Sequence, residues 1–369
     1  MATDRLTGPT MLALIDEVNG PNLWRVLQPV TALEKDGYPA GWDFKSASML
    51  GLVAPHADGY LLPRISWPAT HRSTAEAWFE TNRRTGKFTV YDADDDIFTS
   101  QETHRRVDLD WTEGKSFEQL EGERFQRIWA LQQCDGVTVT TQRLATIVRN
   151  YTTKPVIVVP NSIDIPWFRG IVQATKRTIP GLTIGWAGGR RLDRDVEQMA
   201  EAWGRIAKRY PDVTFVVQGW QPAVIREHVP ADRLVQLPWM RAETYPSGIA
   251  QVDIGCASVS STPFNRAKSP IKCFEYAAAG AATVASPTLY SGVIEHGYSG
   301  YIVDTAEEWE SALSQLIDSN ALRQMMAKRL MKMVERKYSL SANLYRWPAA
   351  WQQIQDSTSR IIQVRNASA

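Results

Sequence analysis

Short apolar runs alternate with longer segments of helical periodicity along the first half of the chain. The apolar runs lie at 10–16, 49–53, 59–63, 88–96, 137–141 and 156–160. Apolar residues recur at helical spacing over 23–33, 74–82, 117–133 and 141–151. Strands that alternate with helices in this way predict a parallel α/β sheet.

The same alternation continues in the second half, with strand-like runs at 182–187, 213–219, 234–238, 252–256 and 282–286. The last strand of the first half leads through 160–168 into a polar segment at 173–180, which is typical of a domain boundary. A length of 369 residues also favours two domains at about 150 residues each. We therefore predict an N-terminal domain over 1–163 and a C-terminal domain over 164–337.

Composition narrows the class of protein without assigning an activity. Lys and Arg number 41 against 40 Asp and Glu, so nothing in the total charge indicates a surface for polyanions. The three cysteines are odd in number and lack metal-binding spacing, which favours free thiols in a reducing compartment. The 14 tryptophans serve large cores or carbohydrate-stacking surfaces, and cores are the commoner use.

The beginning of the chain and its apolar runs bear on its location. Residues 1–5 lack the apolar segment of a secretory leader, and no run approaches the ~18 to 20 apolar residues of a membrane span. We therefore expect a cytoplasmic protein.

Four carboxylates follow a strand of the first half, at Asp92, Asp94, Asp95 and Asp96. Ligands bind at the carboxyl ends of parallel strands, so these acids are candidates for an acceptor site, for proton handling or for a divalent cation. A strand-end cluster that anchors the loop is an equal alternative. His56, His71 and His104 are each isolated in the sequence and carry no assignment.

A second candidate site follows the strand at 182–187. Gly188, Gly189, Arg190 and Arg191 form a glycine-rich turn with two cations before an amphipathic helix at 195–210. Strand, glycine loop and helix are the geometry with which a backbone approaches a phosphate. The spacing matches neither a dinucleotide-binding motif nor a P-loop.

The stretch at 265–286 carries the third candidate site. Pro270 and Gly280 bracket a short predicted helix over 270–279, in their usual positions at a helix start and stop. Lys268, Ser269 and Lys272 surround the helix start, where free N–H groups attract anions, and Glu275 lies one turn further in. A phosphate site is one interpretation, and a surface ion pair is the other.

Taken together, these motifs resemble those of retaining GT-B glycosyltransferases that use nucleotide sugars, in particular the family 4 type of bacteria and phages. The resemblance is carried by 158–164, 184–189, 216–219, 268–280, 283–286 and 297–303. It covers the second domain, whereas in the first it is limited to 25–30 and to the acids at 92–96. It implies two Rossmann-like domains facing across a central cleft, and a tail at 338–369 that packs back onto the first domain.

The resemblance also implies roles for the candidate residues. Glu275 would hold the ribose hydroxyls of the nucleotide. Lys268 and Arg190 or Arg191 would neutralise the diphosphate leaving group. The other donor-binding residues would be Gly188, Gly189, Asn265, Ser269 and Lys272, while Asp92 to Asp96 would serve the acceptor or the domain interface. No metal or other cofactor is required, because donors placed around the diphosphate stabilise its charge.

Two positions depart from the pattern of the family. Ala267 stands where many relatives have a second glutamate, so that Asn265 or Lys268 would have to replace its contact with the donor sugar. The histidine that many relatives use at the sugar is also missing, and nothing in the spacing selects His71 or His104 in its place.

The predicted activity is transfer of a hexose from a UDP- or GDP-sugar to an acceptor hydroxyl, with retention of configuration. Alternatives are a phage-type enzyme of the host cytoplasm that glycosylates modified DNA bases or virion protein, an epimerase of the same fold, and a catalytically inactive protein that binds nucleotide sugars. The near-neutral charge disfavours a DNA acceptor. The sequence leaves the acceptor and the oligomeric state open.

Overall fold

The computed structural model describes residues 8–44, 56–100, 115–189 and 193–368. The predicted run at 49–53, together with His104, Arg190 and Arg191, lies outside these residues. The helical stretch α1 is α-helical at Gly20–Asn22, π-helical at Leu23–Leu27 and α-helical again at Gln28–Lys35. The other described elements of the first half are β1 (Met11–Ile15), β2 (Ala40–Phe44), β3 (Gly59–Pro63), α2 (Arg72–Arg84), β4 (Phe88–Ala93), α3 (Phe117–Gln133), β5 (Gly136–Val139), α4 (Gln142–Val148) and β6 (Val156–Val158).

The second half continues the alternation of strands and helices. Its described elements are α5 (Ile165–Ala174), β7 (Thr183–Gly188), α6 (Glu197–Arg209), β8 (Thr214–Gly219), α7 (Ala223–His228), β9 (Leu234–Leu237), α8 (Pro246–Ile249), β10 (Ile254–Ala257), α9 (Ile271–Ala279), β11 (Ala282–Ala285), α10 (Pro287–Tyr290), β12 (Tyr301–Ile302), α11 (Ala306–Asp318), α12 (Asn320–Tyr338), α13 (Leu340–Asn343) and α14 (Arg346–Ser368). Short 3₁₀ turns lie at Ala69–His71, Asp193–Asp195, Ala231–Arg233 and Asn265–Ala267.

The first sheet has the strand order β2-β1-β3-β4-β5-β6, and all of its strands are parallel. Its central strands are apolar on both faces because helices cover both sides of a parallel sheet, and every residue of β3 and β4 is buried. A cluster of large side chains that includes Trp78, Phe79 and Tyr91 fills the space between sheet and helices.

The second sheet has the order β12-β11-β10-β7-β8-β9 and is also parallel throughout. The chain runs outward from β7 to β9 and then returns to the opposite side of β7 with β10. Strand order therefore reverses between β7 and β10. In sheets of this type such a reversal places a ligand-binding crevice at the carboxyl ends of the two strands.

The chain forms two compact units. The first unit contains Met1–Asn161, Ala267–Ser269 and Asn343–Ala369, and the second contains Ser162–Arg266 and Pro270–Ala342. The domain limits 1–163 and 164–337 stay a prediction.

The C-terminal helix α14 packs within the first unit. Trp347 stacks on the guanidinium of Arg25 at 4.5 Å, and the ring of Trp351 lies 6.0 Å from that of Tyr38. Ile354 fills the space beside Gly136, where a Cβ would come within 2.6 Å of it. The last helix therefore completes the hydrophobic core of the first unit.

The α/β fold class predicted from the sequence is confirmed, because each of the two six-stranded sheets is parallel and Rossmann-like. Among the described residues, no helix combines the length and the apolarity that a membrane crossing needs.

Candidate functional site

Helix α9 begins after Pro270 at the crevice side of the second sheet. No side chain caps its first turn, so this turn offers free N–H groups to an anion. Gly280 ends the helix in the left-handed conformation with φ of 80°, as its position in the sequence predicts. The buried face of the helix, which includes Phe274 and Tyr276, packs the element firmly against the sheet.

Glu275 is the central side chain of this site, and only 2% of its surface is exposed. Its Oε2 accepts hydrogen bonds from the Tyr245 hydroxyl at 2.9 Å and from Lys272 Nζ at 2.9 Å. Lys272 also donates to the Tyr245 hydroxyl at 2.6 Å and lies 4.6 Å from the centre of that ring. Among the described residues, none donates to Oε1, so one oxygen of this buried carboxylate remains available to a ligand.

Tyr245 is kept neutral by its surroundings. Burial of the hydroxyl and the adjacent charge of Glu275 raise the pKa of Tyr245 well above its ordinary value. Because the phenol keeps its proton, it donates to Glu275 at physiological pH. The group of Lys272, Tyr245 and Glu275 therefore carries one positive and one negative charge.

Gln218 forms a hydrogen bond with the backbone of the loop that carries Tyr245. Its Nε2 donates to the carbonyl of Tyr245 at 3.0 Å and contacts Sδ of Met240 at 3.5 Å. Gly248 lies against this amide, and a Cβ there would come within 2.4 Å of it. The loop that carries Tyr245 is thus anchored to the end of strand β8.

The glycine loop after β7 lies at the same edge of the second sheet. Gly188 pairs with Gly219 at the end of β8, and its carbonyl accepts from the N–H of Trp220 at 3.0 Å. Gly219 has φ of +93°, and a Cβ there would lie 2.5 Å from the Gly188 carbonyl oxygen. The end of β8 therefore requires glycine at position 219.

Asp195 ties the two sides of this crevice together. Its Oδ1 accepts from Asn265 Nδ2 at 2.7 Å, from the N–H of Ser260 at 3.1 Å and from the Ser260 hydroxyl. Asn265 Nδ2 also donates to the Ser260 carbonyl at 3.0 Å. The amide nitrogen of Asn265 is thus occupied inside the protein, and its role at the donor stays a prediction.

The segment Ala267–Ser269 groups with the first unit, although its sequence neighbours belong to the second. Lys268 Nζ lies 2.6 Å from Asp95 Oδ2, Asn161 Nδ2 donates to Ser269 Oγ at 2.8 Å, and Thr141 donates to the Ala267 carbonyl at 2.8 Å. The side chain of Ala267 is fully buried. The donor roles predicted for Lys268 and Ser269 stay predictions.

Both carboxylate oxygens of Asp92 are bound within the first unit. Arg25 donates to its two oxygens, from Nε at 3.0 Å and from Nη2 at 2.7 Å, and Thr138 donates at 2.6 Å. Both charged side chains are about 1% exposed. In this structure the carboxylate of Asp92 neutralises a buried guanidinium.

Asp94 and Asp96 follow at the end of β4. Asp96 accepts from the N–H groups of Phe98 at 3.2 Å and Thr99 at 3.0 Å, and so anchors the loop as one sequence interpretation proposed. Asp94 lies 3.3 Å from Arg64, which has φ of 50°. Burial raises the pKa of Asp94, and Arg64 opposes this shift. The acceptor role of these acids stays a prediction.

Within the described part of the chain, no group of three or more His, Cys, Asp or Glu side chains is arranged to hold a metal ion. His71 is exposed and its Nδ1 lies 3.1 Å from the hydroxyl of Thr70. His56 is exposed in a turn. Neither histidine gains an assignment from these surroundings.

Sequence reasoning missed Tyr245, Asp195 and Gln218. Each acts through a partner more than 25 residues away in the sequence, at Glu275, Asn265 and the Tyr245 carbonyl respectively. No local pattern could have identified them.

Part of the second unit is similar to known protein sequences. Residues 181–319 match the family model for "Glycosyl transferases group 1". The chain is 29% identical over 163 residues to the putative teichuronic acid biosynthesis glycosyltransferase TuaH of Bacillus subtilis (strain 168). That alignment covers 41% of this chain and 40% of TuaH.

Solved structures extend the similarity to both units at the level of the fold. Sucrose-phosphate synthase from Thermosynechococcus elongatus has a TM-score of 0.61 at 13% identity, over 98% of this chain and 100% of that one. Anabaena HepE in complex with UDP-glucose has a TM-score of 0.59 at 14% identity, over 95% and 99%. TarM of S. aureus, in complex with UDP, has a TM-score of 0.55 at 12% identity, but this chain spans only 56% of it. The chain therefore has the GT-B fold, and its residues 181–319 match the family model for glycosyl transferases group 1.

Proposed function

We propose that the protein is a glycosyltransferase that moves a hexose from a UDP- or GDP-sugar to an acceptor hydroxyl with retention of configuration. The observation that carries this proposal is Glu275, a buried carboxylate with one oxygen bound by Tyr245 and Lys272 and the other open to a ligand. The two adjacent hydroxyls of a ribose can donate hydrogen bonds to this open oxygen. A charge-assisted hydrogen bond of this kind contributes about 1.5 to 3 kcal/mol.

The diphosphate would lie at the start of helix α9 and at the glycine loop. The first turn of α9 offers uncapped N–H groups, Lys272 adds a positive charge, and Gly188 and Gly189 allow close approach of the backbone. Arg190, Arg191 and Lys268 are further proposed partners of the diphosphate.

The reaction needs stabilisation of the departing diphosphate above all. The bond between the anomeric carbon and the diphosphate oxygen breaks, a bond to the acceptor oxygen forms, and the proton of the acceptor hydroxyl passes to the departing diphosphate oxygen. Negative charge grows on the leaving group, so cations and N–H groups already fixed around it lower the barrier. Retention means that the acceptor oxygen joins the sugar on the face from which the diphosphate departs.

Asp94 is the acid that we propose for contact with the acceptor. Its Oδ1 lies 3.3 Å from Arg64 Nη1, and among the described residues no donor bonds to its Oδ2, whereas the bonds of Asp92 and Asp96 serve Arg25 and the backbone of the loop. A carboxylate with spare acceptor capacity at a strand end can bind a hydroxyl group.

A nucleotide-sugar panel tests the proposed reaction. We expect a UDP- or GDP-sugar to raise the melting temperature and to release nucleoside diphosphate, slowly with water and faster with an acceptor. Anomeric proton NMR of the product would show the configuration of the donor. Glu275→Gln should abolish the shift and the release, while Glu227→Gln, which changes an exposed glutamate of α7, should leave both intact. Absence of any response to the panel in the unaltered protein would rule the proposal out.

A catalytically inactive nucleotide-sugar binder is the second candidate function. It is favoured by Ala267, which is fully buried and replaces a family glutamate, and by Asn265, whose amide nitrogen is bound to Asp195. This candidate predicts a thermal shift with nucleotide sugars but no release of nucleoside diphosphate with any acceptor. The same panel therefore separates the two functions.

A further inference from the structure

Trp239 is the most exposed of the large apolar side chains described, with 73% of its surface open. It follows strand β9 in the second unit. Indole rings usually bury about 150–250 Å² in a core or an interface, and this burial stabilises the protein. An indole as exposed as that of Trp239 lacks most of this stabilisation. The side chain thus has a large apolar face that no described residue covers.

The indole lies over the carboxyl ends of β7 and β8. A Cβ on Gly219 would come 3.3 Å from its Cε3, and a Cβ on Gly189 would come 3.6 Å from its Cη2. Because neither glycine has a side chain, the indole ring can lie close to the backbone at both positions. One part of the indole rests on backbone, and the rest points away from the protein.

A short series of contacts connects Trp239 with Glu275. Met240, the next residue, touches Nε2 of Gln218, which also holds the carbonyl of Tyr245. The hydroxyl of Tyr245 donates to Glu275. Trp239 therefore belongs to the same end of the second sheet as the carboxylate that we assign to the ribose.

We propose that the indole of Trp239 stacks against the nucleobase of the donor nucleotide, an inference that rests on the proposed function above. The base is the only planar aromatic group of a nucleotide sugar, and it is attached to the ribose that Glu275 would hold. Stacking on an aromatic side chain needs no particular base, because every base has a π-face. The contact therefore fits either uracil or guanine.

Binding and fluorescence of Trp239 variants test this contact. We would titrate the full chain with UDP, GDP and inorganic pyrophosphate by calorimetry. Trp239→Ala loses the stacking contact with the base. This variant should therefore bind nucleoside diphosphate about 10- to 100-fold more weakly than the unaltered protein and should bind pyrophosphate equally well. Trp239→Phe keeps a ring and should retain most of the affinity. Tyr298→Ala removes another exposed aromatic ring of the second unit and is the matched control.

Acrylamide quenching gives an independent readout. Bound nucleotide should shield an exposed indole from acrylamide in the unaltered protein, and this protection should disappear in Trp239→Phe. The inference is wrong if Trp239→Ala binds nucleoside diphosphate with unchanged affinity, or if pyrophosphate binding weakens equally. The proposed function would survive either result provided that Glu275→Ala loses nucleotide binding. If no nucleotide binds the unaltered protein, both proposals fail together.

Discussion

Asp92 and Arg25 form an ion pair in the interior of the first unit, and its disruption should cost much of that unit's stability. Arg25 makes two hydrogen bonds to Asp92, and its Nη1 donates to the Val159 carbonyl at 2.6 Å and to Asn161 Oδ1 at 3.2 Å. About 1% of either residue is exposed. Asp92→Ala would leave a buried guanidinium with its charge uncompensated.

The expected loss follows from this geometry. Removing one partner of a buried ion pair destabilises a protein by about 3–5 kcal/mol, because the remaining charge stays out of water. The hydroxyl of Thr138 also loses its acceptor, which adds about 1 kcal/mol. Removing both charges with Arg25→Met and Asp92→Ala should recover part of the loss, since no unpaired charge then remains.

Urea unfolding followed by tryptophan fluorescence measures these free energies. The matched control is Glu76→Ala, which breaks the ion pair between Arg72 and Glu76. The side chains of these two residues are 52% and 56% exposed, respectively. An exposed pair of this kind contributes about 0–1 kcal/mol. If Asp92→Ala loses no more than the control, the pair does not stabilise the first unit as the structure indicates. A double variant less stable than Asp92→Ala alone would contradict the assignment of the loss to unpaired charge.

Two further predictions concern the second unit and the thiols. Tyr245→Phe removes the hydroxyl that donates to Glu275 and accepts from Lys272, so calorimetry should show nucleoside diphosphate affinity lowered about tenfold; an unchanged affinity would contradict the positioning role of this residue. Burial raises the pKa of Cys134, Cys256 and Cys273, that of Cys256 to about 12, so the thiolate fraction at pH 8 lies far below that of free cysteine. Ellman's reagent should accordingly label none of the three in the native protein and all three in guanidinium, and rapid labelling of the native chain would refute this.

The limits of α9 and the alternation of strands and helices could be predicted from the sequence because their causes are local. Pro270 and Gly280 set the ends of α9 through their own backbone preferences. Helix α5 was missed, although Asp164 caps it and Pro166 lies in its first turn, which are readable signals. Strand β2 was also missed, because its outer residues Trp42 and Phe44 are exposed and its pattern does not alternate clearly.

The parts of the site that could not be predicted depend on tertiary placement. Nothing near Glu275 in the sequence indicates that Tyr245 lies against it. The grouping of Ala267–Ser269 with the first unit likewise depends on contacts from Asp95, Thr141 and Asn161. The contacts of Ala267–Ser269 join segments more than 100 residues apart, and Tyr245 lies 30 residues from Glu275 in the sequence. A single sequence carries no signal for them.

Calorimetric titration of UDP and GDP into the unaltered protein and into Glu275→Ala tests the central claim most directly. The account predicts that at least one nucleoside diphosphate binds, and that Glu275→Ala weakens it about tenfold or more through loss of the charge-assisted bonds to the ribose. Thermal melts of the variant and of Glu227→Ala would verify that the second unit remains folded. Equal affinity in Glu275→Ala, or no binding of either nucleotide to the unaltered protein, would contradict the account.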